Sequence, residues 1–241
     1  MLSFGPSSLN MIKEFSEAST ILVDKPLEWT SFDVVNKIRW YLRKKLGVKK
    51  LKVGHAGTLD PLATGLLVIC IGKHTKTIES LMAVEKEYTG KILLGKTTPS
   101  YDLETKYDQD YPTEHINSIV IESIRKSFLG DQMQLPPIFS AKQVDGKRAY
   151  DLARAGKEVK LELRPIHISL LEIDDTDFPI LSFRVRCSKG TYIRSLAHDI
   201  GKALNSGATL IELRREASGD HHVKDAKSVE DWIDFIQSNP L

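Results

Sequence analysis

Val53-Gly-His-Ala-Gly-Thr-Leu-Asp-Pro-Leu-Ala-Thr-Gly65 runs without a break into Leu66-Leu-Val-Ile-Cys-Ile71, and these two adjoining pieces decide the fold. Six apolar residues with β-branched members, enclosed by Gly65 and Gly72, are too short a run for a buried helix and predict a buried strand. The loop therefore hangs from a rigid element. It carries one carboxylate, Asp60, whose backbone is biased toward an extended conformation by Pro61, while its glycines allow close approaches that a Cβ would block. A carboxylate presented this way is held in place, although Asp-Pro in a glycine-rich loop is equally an ordinary turn former.

Upstream, Ile21-Leu-Val23 reads as a strand ending at Asp24-Lys-Pro26, and Thr30-Ser-Phe-Asp33 fits a capping box that opens a helix. Val34, Val35, Ile38, Tyr41 and Leu42 give that helix one buried face. Between Asp33 and Asp60 there is no acid, yet Lys37, Arg39, Arg43, Lys44, Lys45, Lys49, Lys50 and Lys52 all fall there. Such a stripe suits a polyanionic partner such as nucleic acid, and by itself it suits a solvated helix face equally well. Residues 1–19 read as an extension with a short helix within Leu9–Ala18.

Downstream, a helix is predicted over Thr77–Val84 and a strand through Tyr88, Gly90, Ile92 and Leu94. Gly90-Lys-Ile-Leu-Leu-Gly-Lys-Thr97 satisfies the phosphate-loop pattern, but its spacers are apolar and Pro99 stands where the helix should begin, so no nucleotide site is expected. A helix follows over Ser118–Phe128. The stretch from Leu135 to Gly156 starts as an extended Pro-rich piece and continues as a helix, interleaving Lys142, Lys147, Arg148 and Arg154 with Phe139 and Tyr150. Leu181, Phe183, Val185 and Cys187 alternate as one face of a strand, and Ile193, Leu196, Ala197, Ile200 and Leu204 define the next helix, with Arg194 in its first turn. An arginine there opposes the helix dipole and needs an anion nearby. Ala208–Arg215 gives another strand and Val229–Gln237 a last helix. His221-His222 point to opposite faces of a strand and are not expected to bind metal.

The 241 residues are 41% hydrophobic and 27% charged with a net charge of +2, which are globular values. No apolar run approaches the ~20 residues of a membrane span, and no secretory leader is recognisable. Cys70 and Cys187 both sit in apolar runs and read as core packing, suiting a reducing cytoplasm.

The order Gly54-His-Ala-Gly-Thr-Leu-Asp-Pro-Leu-Ala-Thr-Gly65 closely resembles the active-site motif of the TruB family of tRNA pseudouridine synthases, whose aspartate is essential; the matching position is Asp60. Further segments match between about Ile21 and Val223. Leu22-Val-Asp-Lys-Pro26 resembles the family's N-terminal motif, in which the lysine, here Lys25, supports the active site. Lys86-Glu-Tyr88 resembles the segment whose tyrosine stacks on the target base. Lys189-Gly-Thr-Tyr-Ile-Arg194 resembles the segment whose arginine pairs with the aspartate, and Leu213 matches an apolar pocket residue. Thr97–Glu104 keeps the matching Asp102 but lacks the family's glycine. The resemblance thus implies Asp60, Tyr88 and Arg194 as catalytic residues. It implies His55, Lys25, Tyr192, Leu213 and Asp102 as substrate-binding residues, His55 assisting base extrusion. Lys44, Lys45, Lys49, Lys50, Lys142, Lys147, Arg148 and Arg154 become candidate RNA contacts.

The implied fold is α+β, a long mixed, mainly antiparallel sheet flanked by helices with a catalytic cleft across it. The implied domain is residues 20–241, with an RNA-binding insertion at about 135–165 and no C-terminal PUA-type domain. The implied reaction converts uridine to pseudouridine at position 55 of the tRNA T-loop, without cofactor, metal or obligatory protein partner, in a cytoplasmic monomer. The alternative is a tRNA-binding and folding chaperone whose catalysis is incidental. A glycosidase-type hydrolase is disfavoured because that chemistry uses two acids and the active stretch offers one.

Overall fold

The computed structural model describes residues 10–138 and 161–241, together with the backbone of 143–144 and 147–148. In chain order the helices are α1 Met11–Glu17, α2 Ser31–Leu46, α3 Ile78–Met82, α4 Ser118–Ser127, α5 Ile193–Ala203 and α6 Val229–Ser238. The strands are β1 Ala18–Lys25, β2 Val53–His55, β3 Ala63–Gly72, β4 Lys86–Leu94, β5 Lys96–Thr97, β6 Gln109–Asp110, β7 Gly130–Gln134, β8 Gln143–Val144, β9 Lys147–Arg148, β10 Arg164–Asp174, β11 Ile180–Cys187, β12 Ala208–Ser218 and β13 His221–His222. The chain divides into two compact units, Met1–Val84 with Arg214–Leu241, and Glu85–Leu213. The α+β expectation holds: antiparallel sheet with helices packed on it, and no closed barrel among the described residues.

In the first unit, β3 lies between β1 and β12, with β2 also paired to it. The antiparallel register sets Ile21 opposite Ile69 and Lys25 opposite Gly65, so β1 delivers its C-terminal end to the mouth of the Gly54–Gly65 loop. The apolar run of β3 is explained by burial on both faces. Leu67, Ile69 and Ile71 join the core built with α1, α2 and α6, whereas Leu66 and Val68 join Ala56 in a second cluster. Sealing each such side chain from water contributes roughly 1.5–3 kcal/mol, which makes β3 a stiff support. The capping box at Thr30 and Asp33 is present, and Val34, Val35, Ile38 and Leu42 face the core. Residues 11–17 also pack there: Ile12 and Phe15 are buried, with the Phe15 ring 5.3 Å from Phe235.

In the second unit the order is β12-β4-β11-β10-β7. The phosphate-loop look-alike is strand β4, paired along its length with β11. Leu181, Phe183, Val185 and Cys187 are buried on one face of β11, as the alternation predicts. Gln143–Val144 and Lys147–Arg148 pair antiparallel as β8 and β9, Gln143 opposite Arg148; the rest of the stretch up to Gly156 in which a helix is expected lies outside the described residues. Cys70 and Cys187 are buried thiols, and burial pushes Cys187 up to about 12. Among the described residues no helix is long and apolar enough to cross a membrane, and no group of three or more His, Cys, Asp or Glu is placed to hold a metal ion.

Candidate active site

Between β2 and β3 the chain must reverse within the seven residues 56–62 without a ladder to take up its carbonyls, so buried donors have to do so. Three side chains serve this purpose in the first unit. Ser31, the first residue of α2, bonds Leu59 at both ends: the Leu59 amide donates to Oγ at 2.8 Å, and Oγ donates to the Leu59 carbonyl at 3.1 Å. The Lys25 ammonium, wholly buried, donates to the carbonyls of Pro26 at 2.9 Å, Trp29 at 2.6 Å and Pro61 at 3.4 Å. Arg215, also buried, donates to the carbonyls of Leu66 at 2.7 Å, Gly57 at 3.0 Å and Thr58 at 3.4 Å. Backbone bonds complete the frame, from Ala56 to Val68 at 2.8 Å, Glu28 to Pro61 at 2.9 Å and Ala63 to Asp60 at 3.1 Å. Asp60 is half-buried at the crest of this frame, between buried Leu59 and exposed Pro61.

Two glycines make the path possible. Gly57 has φ +113°, a conformation closed to side-chain-bearing residues. A Cβ on Gly65 would stand 2.4 Å from the Arg215 carbonyl oxygen, so its absence lets β12 lie against the exit of the loop. Behind it, Arg214 forks onto Asp24 at 3.0 and 2.7 Å and tethers β12 to the end of β1.

Charge is concentrated here. Burial draws Lys25 down from 10.5 to about 8; Asp60 opposes the shift, Arg215 adds to it and Asp33 opposes it. Burial, then the Arg215 charge, holds the His55 imidazole below its ordinary value, against a hydrogen bond with the Gly57 backbone. His55 is therefore a neutral, half-buried ring next to the loop at neutral pH.

The other predicted site residues belong to the second unit. Tyr88 is buried in β4 opposite Val185 of β11. Arg194 lies in the first turn of α5, 5% exposed, with its Nε 3.6 Å from the Asp102 carboxylate and its Nη1 donating to the Ser100 carbonyl at 3.3 Å. Asp102 is thus one of the anions that the helix dipole argument demanded. The Asp102 carboxylate also accepts from the Glu104 amide at 3.0 Å, and a backbone bridge joins Asp102 to Leu210. Tyr192 caps α5, and its backbone is pinned by buried Gln134, which accepts from the Tyr192 amide at 2.8 Å and donates to its carbonyl at 3.1 Å. Leu213 is buried at the end of this unit's share of β12.

Sequence reasoning did not single out Arg215, Ser31, Ser100 or Gln134. A signal for Arg215 exists: β12 alternates, and Arg215 shares the buried face with Leu213 and Ala217, where a charge has to have partners.

The basic residues divide. Lys44, Lys49 and Lys50 are exposed. Lys44 stands 5.0 Å over the Trp40 ring, and Lys45 donates to the Gln237 carbonyl at 2.8 Å, a contact within the unit. Arg43, Lys44 and Lys45 also fill the last turn of α2, where cations favour the helix dipole. Lys147 and Arg148 form β9, while Lys142 and Arg154 lie outside the described residues.

The family model for the N-terminal domain of the TruB family pseudouridylate synthases matches residues 43–193. The protein named tRNA pseudouridine synthase B in Phocaeicola vulgatus is 54% identical over 223 residues, covering 91% of this chain and 95% of that one. Its namesake in Flavobacterium johnsoniae is 56% identical over 226 residues, covering 93% and 99%. Among solved structures, a chain in a Cbf5-Nop10-Gar1 complex aligns with a TM-score of 0.69 at 29% identity, over 95% of this chain and 56% of that one. A chain in the archaeal box H/ACA sRNP Nop10-Cbf5 complex gives 0.65 at 26% identity, over 94% and 56%. The present chain therefore spans little more than half the length of those solved chains. By the matched model and by relatives at this identity over nine-tenths of its length, the chain belongs to the TruB family of pseudouridylate synthases.

Proposed function

We propose that this enzyme isomerises uridine to pseudouridine in tRNA, at position 55 of the T-loop, with Asp60 as its catalytic group. The observation that carries the reading is the frame around Asp60: three buried polar side chains hold the loop's main chain so that one half-buried carboxylate is presented. Identity above 50% with proteins named tRNA pseudouridine synthase B, over nine-tenths of this chain, supports the substrate class.

The reaction breaks the bond between N1 of uracil and C1′ of the ribose, turns the base and joins C5 to C1′; C5 gives up its proton and N1 takes one up. Nothing is oxidised and no group enters from outside. A positioned carboxylate serves it by attacking C1′ or the base, or by removing a ribose proton on a glycal-type route. Tyr88 would stack on the uracil and Arg194 would keep the carboxylate ionised and oriented, with Asp102 and Ser100 holding the guanidinium. His55, kept neutral, would help extrude the nucleotide from the T-loop, since a stacked base cannot reach the carboxylate. Lys44, Lys49 and Lys50 would meet phosphates.

Purified protein is incubated with unmodified tRNA, and carbodiimide mapping locates pseudouridine. A single modification at position 55 is the expected result; tRNA binding without any pseudouridine would favour the chaperone reading.

A further inference from the structure

Arg215 is the largest fully buried side chain among the described residues, 1% exposed. Burying a guanidinium costs several kcal/mol unless its donors are well matched. Its three hydrogen-bond partners are the carbonyls of Gly57, Thr58 and Leu66. The planar fork therefore ties two successive carbonyls before Asp60 and one carbonyl after it to a single rigid group, which a flexible ammonium could not do in one plane. Gly57, at φ +113°, turns its carbonyl out of any strand ladder, and a Cβ there would come 3.4 Å from Nη1. The missing Cβ of Gly65 seats the Arg215 backbone against the same loop. Every contact lies in one compact unit.

We propose that Arg215 is a positioning residue for the Asp60 carboxylate: it fixes the main chain on both sides of Asp60 and so sets the direction in which the carboxylate is aimed. The proposal rests on Asp60 being the catalytic group. Through its charge, Arg215 also disfavours protonation of His55 and Lys25. A misplacement of about 1 Å in a reacting group costs on the order of 10²-fold in rate, so the effect falls on turnover and not on tRNA affinity.

The test compares Arg215→Met and Arg215→Lys with wild type. Single-turnover tritium release from tRNA carrying 5-tritiated uridine should fall about 10²-fold for Arg215→Met, with the Kd for tRNA within about twofold. Arg215→Lys, which keeps the charge and one or two donors, should recover part of that loss. Hydrogen exchange at the amides of residues 57–60 should speed up in both, with the β1–β3 ladder still protected. Wild-type release by folded variants with unchanged tRNA affinity, or unchanged protection of residues 57–60, overturns the proposal. If Arg215→Met does not fold, Arg215→Lys decides by the same two readouts. If wild type itself releases no tritium, the functional reading fails, and the exchange measurement still decides whether Arg215 holds the loop.

Discussion

In the first unit a carboxylate is held through its main chain, and in the second a guanidinium is held through its side chain. Lys25 and Arg215 never need to touch Asp60 to place it, because they grip the carbonyls of Gly57, Thr58, Pro61 and Leu66 around it. Arg194 sits on α5 with its backbone already fixed by the helix, and Asp102 and Ser100 constrain only the head group. The difference follows from the supports. A loop has orphan carbonyls that cationic donors can satisfy, whereas a helix satisfies its own backbone and leaves only the side chain to be oriented.

The comparison breaks most sharply at Asp60. Asp60→Asn keeps the shape of the loop and every main-chain bond around it, so the protein should fold and bind tRNA as wild type does. Tritium release should fall by on the order of 10⁴-fold or more, and release near the wild-type rate would remove Asp60 from the chemistry. A smaller effect is expected on the other side. Asp102→Asn takes one buried carboxylate away from the Arg194 guanidinium, which should cost about 3 kcal/mol in urea unfolding, as for other broken buried pairs. A cost below about 1 kcal/mol would mean that the Asp102 contact contributes no more than a surface pair.

Lys25 sharpens the contrast through pH. Its folded value, about 8, lies below the ordinary 10.5, so below pH 8 the native state carries the full cost of a buried charge. Between pH 8 and 10.5 the native state loses its proton first and stability rises with pH relative to a chain lacking the group. Lys25→Met should therefore be destabilised at neutral pH, through the three carbonyls it leaves, and its deficit against wild type should widen from pH 8 to 10.5 in thermal melts. A deficit that stays constant over that window would place the Lys25 titration elsewhere. The smallest effect belongs to the exposed stripe. Lys49→Glu with Lys50→Glu should leave single-turnover release at saturating tRNA unchanged, and should reduce the dependence of log K on log salt by roughly 0.7–0.9 per lost phosphate contact. An unaltered slope would make those lysines a solvated surface.

Much of this architecture was legible in one dimension because it depends on local pattern. The apolar run Leu66–Ile71 could only be a buried strand, the Thr30–Asp33 spacing wrote its own capping box, and the alternation through Leu181–Cys187 assigned its faces. The alternation through Tyr88–Leu94 reads as a strand despite the phosphate-loop spelling around it, and β4 is that strand. The short helix before β1 was expected, but its burial was not: a helix of seven residues carries too weak a pattern to announce that Phe15 packs against Trp232 and Phe235, more than 200 residues away.

The sequence by itself determined which residue types stand in the loop, where its glycines fall and that one carboxylate stands beside Pro61, since these are properties of neighbours along the chain. Only the tertiary structure decided what holds that carboxylate, because the donors that grip its loop come from positions 25, 31 and 215, and hydrogen bonds between such distant residues exist only once β1, β3 and β12 are in register. The same holds for Asp102 and Arg194, separated by 92 residues of sequence and joined by the folding of one unit. A sequence records propensities of a few residues at a time; the placement of a buried charge depends on who surrounds it in space.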